Sequence, residues 1–280
     1  MLDAPKSRAL DARGRKLPVG GRTLIMGILN VTPDSFSDGG SYPTAHAALT
    51  AGLEFAAEGA DIVDVGGEST RPGHEPVDAE TELARVLPVI AGLAAGIKAP
   101  ISVDTSKAAV AEAALKAGAC IVNDVWGLAQ DPDMAGVVAA HNAAAVIMHN
   151  REKVDPGLDI LAELSTFFAR ALDRATAAGI RPDRIVLDPG IGFGKTLDQN
   201  LTILARLETF CALGFPILIG ASRKSFIAKL SPSEPRDRLP GTIAANVVAA
   251  FAGAAIVRVH DVAAHVQALR IADAVRGAGR

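Results

Sequence analysis

Asp61-Ile-Val-Asp-Val-Gly-Gly-Glu-Ser-Thr-Arg-Pro-Gly73 is the stretch on which the fold turns. Ile62, Val63 and Val65 make a short β-branched run of the kind a buried parallel strand needs. The run stops at Gly66-Gly67 and opens into a polar loop holding Glu68, Ser69, Thr70 and Arg71. Apolar strands that end in convergent polar groups form the active edge of α/β proteins. The chain repeats this pattern about eight times.

Upstream, Leu24-Ile-Met-Gly-Ile-Leu-Asn30 is the first such strand. It runs into the turn-rich Val31-Thr-Pro-Asp-Ser-Phe-Ser-Asp-Gly-Gly40 and a helix from Thr44 to Glu58. Downstream, a helix over about Asp78 to Ala95 precedes Ile101-Ser-Val-Asp104. The following strands are Cys120-Ile-Val-Asn-Asp124, Ala144-Ala-Val-Ile-Met-His149, Ile185-Val-Leu-Asp188, Pro216-Ile-Leu-Ile-Gly220 and Ala255-Ile-Val-Arg-Val-His260. Helical periodicity marks Leu158 to Ala178 and Val262 to Arg276. Residues 1–22 are polar, with turn signals at Gly14 and Gly20-Gly21, and are expected to form a hairpin capping the bottom of the domain. Strands alternating with helices predict a (β/α)8 TIM barrel over residues 23–280. The structural rival is an open doubly wound sheet. No Gly-x-Gly-x-x-Gly turn follows the first strand, and polar groups follow every strand, which disfavours it.

The chain has 280 residues, 49% of them hydrophobic, enough for one large core. A net charge of −3 without runs of like charge argues against nucleic acid as a partner. Cys120 and Cys211 lie far apart without metal-ligand spacing and read as buried thiols in a reducing compartment. The opening Met-Leu-Asp-Ala-Pro-Lys lacks the features of a signal peptide, and no apolar stretch is long enough for a membrane span, so the expected location is the cytoplasm.

The polar strand ends are Asn30, Thr70 with Arg71, Asp104, Asn123, His149, Asp188, Ser222 with Lys224, and Arg258 with His260. Each has an ordinary explanation alone: an Asp after a strand caps helices, and a lone His is often a core imidazole. In a parallel barrel, however, all of them gather on one rim. Asp104, Asn123 and Asp188 offer acceptors and an amide suited to an aminopyrimidine-like edge. Arg71, Arg258, His260 and Lys224 suit an anion, and the loops after the seventh and eighth strands are the usual phosphate corner. Asn30 adds a hard oxygen compatible with Mg²⁺. The expected ligand has a donor-rich aromatic head and a phosphate tail. No nucleophile–base motif stands out, which points to catalysis by positioning and charge stabilisation.

Gly27-Ile-Leu-Asn-Val-Thr-Pro-Asp-Ser-Phe-Ser-Asp-Gly-Gly40, Gly66-Gly-Glu-Ser-Thr-Arg-Pro-Gly73, Asp188-Pro-Gly-Ile-Gly-Phe-Gly-Lys195, Gly220-Ala-Ser-Arg-Lys-Ser225 and Arg258-Val-His-Asp261 closely resemble the dihydropteroate synthase family. The resemblance runs from about residue 23 to the C-terminus. It implies a transferase of folate biosynthesis and sulfonamide target, which joins 6-hydroxymethyl-7,8-dihydropterin diphosphate to 4-aminobenzoate. By resemblance, Asp104, Asn123, Met148, Asp188 and Lys224 hold the pterin, and Asn30, Thr70, Arg71, Arg258 and His260 hold diphosphate, with Mg²⁺ at Asn30. Phe36, Pro72, Phe193 and Ser222, beside Lys224, line the aminobenzoate pocket. Asp34 offsets a pterin-methyl cation, Arg71 retains the leaving group, and Lys224 completes the catalytic set. A homodimer is implied as well. One departure is Asn150-Arg-Glu-Lys153, where the family usually continues Met-Gln. A pterin-binding methyltransferase of the same barrel superfamily and a non-catalytic pterin-binding paralogue are the alternatives. Neither explains the anion residues retained here.

Overall fold

The computed structural model describes residues 9–32, 41–69 and 76–278, with residues 41–44 described by backbone alone. In chain order the strands are β1 (Ala9–Ala12), β2 (Arg15–Pro18), β3 (Leu24–Asn30), β4 (Ile62–Gly66), β5 (Ile101–Asp104), β6 (Ile121–Asp124), β7 (Ala144–Met148), β8 (Ile185–Asp188), β9 (Leu218–Ile219) and β10 (Ile256–Val259). The helices are α1 (Ser41–Glu58), α2 (Ala79–Gly96), α3 (Ala108–Ala117), α4 (Met134–Ala140), α5 (Ile160–Ala177), α6 (Leu197–Ala205), α7 (Glu208–Cys211), α8 (Ser225–Leu230), α9 (Leu239–Phe251) and α10 (Val262–Ala278).

Eight parallel strands lie in the order β8-β7-β6-β5-β4-β3-β10-β9. A parallel bridge between Leu187 and Ile217, with Leu187 N–H donating to Pro216 O at 2.9 Å, brings the two ends together and nearly closes the barrel. The seventh barrel strand is shorter than its sequence promised: Pro216 has no N–H to give to a ladder, and Ile217 makes only an isolated bridge. Helices α4, α6, α7 and α8 were not expected from the sequence: at four to nine residues each they are too short for a helical period to show.

Period-two alternation divides each strand between two cores. Val63 and Val65 of β4 face outward onto Val86, Val89, Ile90 and Leu93 of α2, whereas Ile62 belongs to an inner cluster with Leu24, Met26, Ile121, Val186 and Ile256. Burying each such side chain contributes about 1.5–3 kcal/mol. Helix starts are set by caps that satisfy otherwise orphaned amides. Asp78 accepts from Thr81 N–H at 2.7 Å, Asp159 caps α5, and Thr196 with Gln199 forms a capping box on α6.

The expected N-terminal hairpin is present. Ala12 pairs with Arg15 around Arg13 and Gly14, whose φ values of 54° and 87° give the two-residue turn that matches strand twist. Its Leu10, Ala12 and Leu17 join the inner cluster at the N-terminal ends of the strands, closing the barrel floor. Arg13 donates to the carbonyls of Leu115 and Ala119 at 2.6 and 2.8 Å, at the end of α3. Among the described residues no helix is long and apolar enough to cross a membrane.

Candidate active site

The same alternation lifts the inward-facing set from apolar to polar as the strands climb. Register aligns Asn30, Gly66, Asp104 and Asn123 across β3 to β6, and pairs Met148 with Asp188 across β7 and β8. Arg258 starts lower, level with Met26, and its side chain spans the interior. Its Nε donates to Asp64 Oδ2 at 2.6 Å and its Nη2 to Asp104 Oδ2 at 2.5 Å. Asn123 Nδ2 donates to the same Asp64 oxygen at 3.1 Å.

Burial dominates the electrostatics here. Burial pushes Asp104 up to about 7, opposed by Arg258 and reinforced by the Asp64, Glu82 and Asp124 carboxylates. Burial also raises Asp188, against the pull of Lys224 and of the Gly190 amide, which donates to Asp188 Oδ1 at 2.7 Å. Lys224 is pushed down to about 7 by burial, opposed by Asp188. For Arg258 burial works downward, but Asp64 and Asp104 more than reverse it and hold the guanidinium above its usual range. Asp64 Oδ1 and Asp104 Oδ1 are buried with no hydrogen-bond partner among the described residues. An unmet buried acceptor costs about 1–3 kcal/mol, a cost that donors on a bound ligand would remove.

The loop after β8 approaches other backbone so closely that only glycine fits. A Cβ on Gly190 would lie 1.9 Å from His149 O, and one on Gly194 2.3 Å from Arg151 O. Lys195, itself buried, fastens this loop by donating to Gly190 O (2.8 Å), Phe193 O (3.0 Å) and His149 O (3.3 Å). Lys224 donates to Ile191 O and sits 4.2 Å from the Phe193 ring centroid. Phe193 borders a cavity of about 490 Å³ shared with Glu68, Asp104, Thr105, Lys107 and Trp126. Ser222 Oγ lies 2.9 Å from His260 Nδ1, joining the loop after β9 to the end of β10. Arg223, at φ 56°, grips Asp261 with two hydrogen bonds at 3.1 and 2.5 Å beside it.

The structure therefore gathers Asn30, Asp104, Asn123, Met148, Asp188, Phe193, Ser222, Lys224, Arg258 and His260 at one mouth. Asp34, Phe36, Thr70, Arg71 and Pro72 lie outside the described residues. Two strand-end residues turn away from the mouth. His149 follows inward-facing Met148 and so faces out, edge-on to Phe167 of α5 with centroids 4.9 Å apart, its pKa pushed down to about 3 by burial. Asp124 likewise faces out, accepting from the amides of Trp126 (2.9 Å) and Leu128 (2.7 Å) as a loop clasp.

Sequence reasoning passed over two features. Asp64 sits mid-strand, and the signal for it was a carboxylate flanked by β-branched residues in a buried run. The other is an ion cluster in which Lys107 pairs with Glu68 and, at 2.6 Å, with fully buried Glu82. Glu68 also accepts from Val77 N–H at 3.4 Å, and Arg85 donates to Gly67 O at 2.7 Å, so both flanks of residues 70–75 are tied down.

Among the described residues no cluster of three or more His, Cys, Asp or Glu could hold a metal. Asn30 offers a single hard oxygen here, so an ion at this place would be held mainly by substrate oxygens. Bare Gly66 leaves room between these side chains: a Cβ there would come 3.4 Å from Asp104 Cβ and 3.8 Å from both Asn30 Oδ1 and Asp104 Oδ2.

A family model described as "Pterin binding enzyme" matches residues 26–260. The dihydropteroate synthase of Bacillus subtilis is 46% identical over 258 residues, covering 92% of this chain and 90% of that one. A Xanthomonas albilineans dihydropteroate synthase solved with 4-aminobenzoic acid superposes with a TM-score of 0.93 at 47% identity, covering 97% of this chain and 99% of that one. The Xanthomonas albilineans enzyme in complex with 7,8-dihydropteroate superposes with a TM-score of 0.88 at 45% identity, covering 96% and 98%.

Proposed function

The chain belongs to the pterin-binding enzyme family, and from that premise we propose that it is a transferase joining 6-hydroxymethyl-7,8-dihydropterin diphosphate to 4-aminobenzoate. The products are 7,8-dihydropteroate and diphosphate. The observation that carries this reading is the division of charge within one rim. Buried acceptors on Asp104, Asn123 and Asp188 stand beside the Arg258 and Lys224 cations.

The acceptors take the N–H-rich edge of the heterocycle, over which Met148 closes from β7. Arg258 and His260 take the diphosphate, with Thr70 and Arg71 contributing from the loop after β4. Phe193 and Ser222, with Phe36 and Pro72, shape the slot for the aromatic amine. The C–O bond to diphosphate breaks with its electron pair leaving on oxygen. The amine nitrogen forms the C–N bond to the same methylene carbon and releases its proton to solvent. Positive charge on the pterin-methyl group is offset by Asp34, and Lys224 and Arg71 balance the anionic side. A preorganised charged contact of this kind is worth about 2–4 kcal/mol in the transition state.

Asn30 is the residue proposed to hold Mg²⁺, which, when bound with the diphosphate, would supply charge neutralisation for the leaving group. The protein is proposed to be a cytoplasmic homodimer. Free Cys120 and Cys211 suit a reducing compartment. Exposed Val248 and Phe251 of α9, with Ile271 and Val275 of the adjoining α10, supply an apolar face for a second copy.

The test is diphosphate release. The expected result is release from pterin diphosphate only when 4-aminobenzoate is present, with dihydropteroate formed in equal amount. Release without the amine, or binding of pterin without turnover, would reject the proposal.

A further inference from the structure

Asp64 is a carboxylate beneath the rim, in the middle of β4 between Val63 and Val65, and it has no solvent exposure. Its neighbours in register, Ile28 and Ser102, carry no cation. The groups that reach it come instead from β6 and β10. One oxygen, Oδ2, accepts from both Asn123 Nδ2 (3.1 Å) and Arg258 Nε (2.6 Å).

Each hydrogen bond removes a freedom that would matter to a ligand. An Asn side chain can present its carbonyl and its NH₂ either way round. With one N–H held by Asp64, the Asn123 amide cannot flip, so its carbonyl oxygen and remaining N–H keep fixed places. Nε and Nη2 lie along one edge of the planar guanidinium, and Asp64 and Asp104 together occupy that edge. Among the described residues no hydrogen bond takes the adjoining edge, with Nη1 and the second Nη2 hydrogen, which can meet an anion in the two-pronged geometry arginine favours.

Resting on the pterin diphosphate reading above, we infer that Asp64 is a positioning residue for both halves of that substrate. It sets which face of the Asn123 amide reads the heterocycle, and which edge of Arg258 receives the diphosphate. It touches neither directly. A heterocycle with donor and acceptor interchanged at that edge is thereby excluded.

Asp64→Asn tests this with little change of shape. The amide oxygen can still accept, and its nitrogen takes the place of Oδ1, which has no partner among the described residues. What disappears is the charge that orients Arg258. Calorimetric titration with 6-hydroxymethylpterin and, separately, with inorganic diphosphate is the readout, alongside steady-state kinetics. The expected result is affinity for each ligand reduced on the order of ten- to a hundredfold, as for loss of a hydrogen bond to a charged group. KM for pterin diphosphate should rise in step, while KM for 4-aminobenzoate and the melting temperature stay put. In a double-mutant cycle with Arg258→Lys, the losses in diphosphate affinity should be less than additive, because Asp64 acts through that side chain.

Wild-type affinities in Asp64→Asn would overturn the inference. So would equal changes in every constant with a lowered melting temperature, or an additive cycle. If Asp64→Asn does not fold, Asp64→Ser, which leaves room for water, carries the same measurements. Failure of the wild type to bind the pterin would count against the functional reading instead, and the diphosphate arm would still decide the role of Asp64.

Discussion

The barrel's two ends use the same inward-facing strand positions for opposite purposes. At the floor these positions are Leu24, Met26, Ile62, Ile121, Val186, Leu218 and Ile256, sealed by Leu10 and Leu17 of the hairpin. Two residues or so further along the same strands stand Asp64, Asn123, Asp188 and Arg258. Floor residues stabilise the fold by leaving water. Rim residues give up hydration for charge pairs and unmet acceptors, which destabilise the empty protein and await a ligand. Stability and chemistry are thus separated along the barrel axis, and substitutions at the two ends should have opposite signatures.

The largest effect is expected at the rim. Asp188→Asn keeps an oxygen for the Gly190 amide but removes the charge facing Lys224. We expect kcat/KM for pterin diphosphate to fall on the order of a hundredfold or more, with urea stability unchanged or higher. A variant that lost stability but kept activity would erase the contrast. At the floor, Leu10→Ala should cost about 2–4 kcal/mol in urea unfolding while kcat/KM of the folded fraction stays near wild type.

A smaller, pH-dependent effect separates the ends further. Asp104 titrates at about 7 in the folded chain against 3.8 as its ordinary value. Between those values the folded state holds the extra proton, so its contribution to stability falls as pH rises and is lost by about 7. Asp104→Asn should remove that slope from a stability–pH curve, whereas Leu10→Ala should shift the curve without changing its shape. Adding EDTA should lower diphosphate release without altering the melting temperature, and Asn30→Ala should raise the Mg²⁺ concentration needed to restore it. Smallest of all for turnover is Phe251→Glu on α9. Light scattering should show a dimer converted to monomer, with kcat changed by less than about twofold, since this face lies away from the mouth.

Much of this contrast is legible in the sequence, since eight apolar runs ending in polar residues specify both the barrel and its active end. β3 and β8 occupy the expected residues because each is bounded by clear polar or turn signals. The strand before Ser222 is shorter than its apolar run of five: Pro216 has no N–H to donate, and Ile217 makes only an isolated bridge. Within the site, a list of strand ends mixes inward and outward neighbours. Alternation separates them: Met148 and Asn123 face in, His149 and Asp124 face out, and that parity was readable. Asp64 lies within a strand and not at its end, so the pattern of polar strand ends does not reach it. The Glu82–Lys107–Glu68 cluster joins α2 to two separate loops, and no local pattern announces a contact that only tertiary packing creates.

The most direct test is a crystal structure of the protein soaked with 6-hydroxymethylpterin. The account predicts the heterocycle inside the rim, its N–H groups within hydrogen-bond distance of Asp104 and Asp188, its edge against Asn123, and Arg258 alongside. A pterin bound elsewhere on the molecule, with Asp104 Oδ1 and Asp188 untouched, would contradict it.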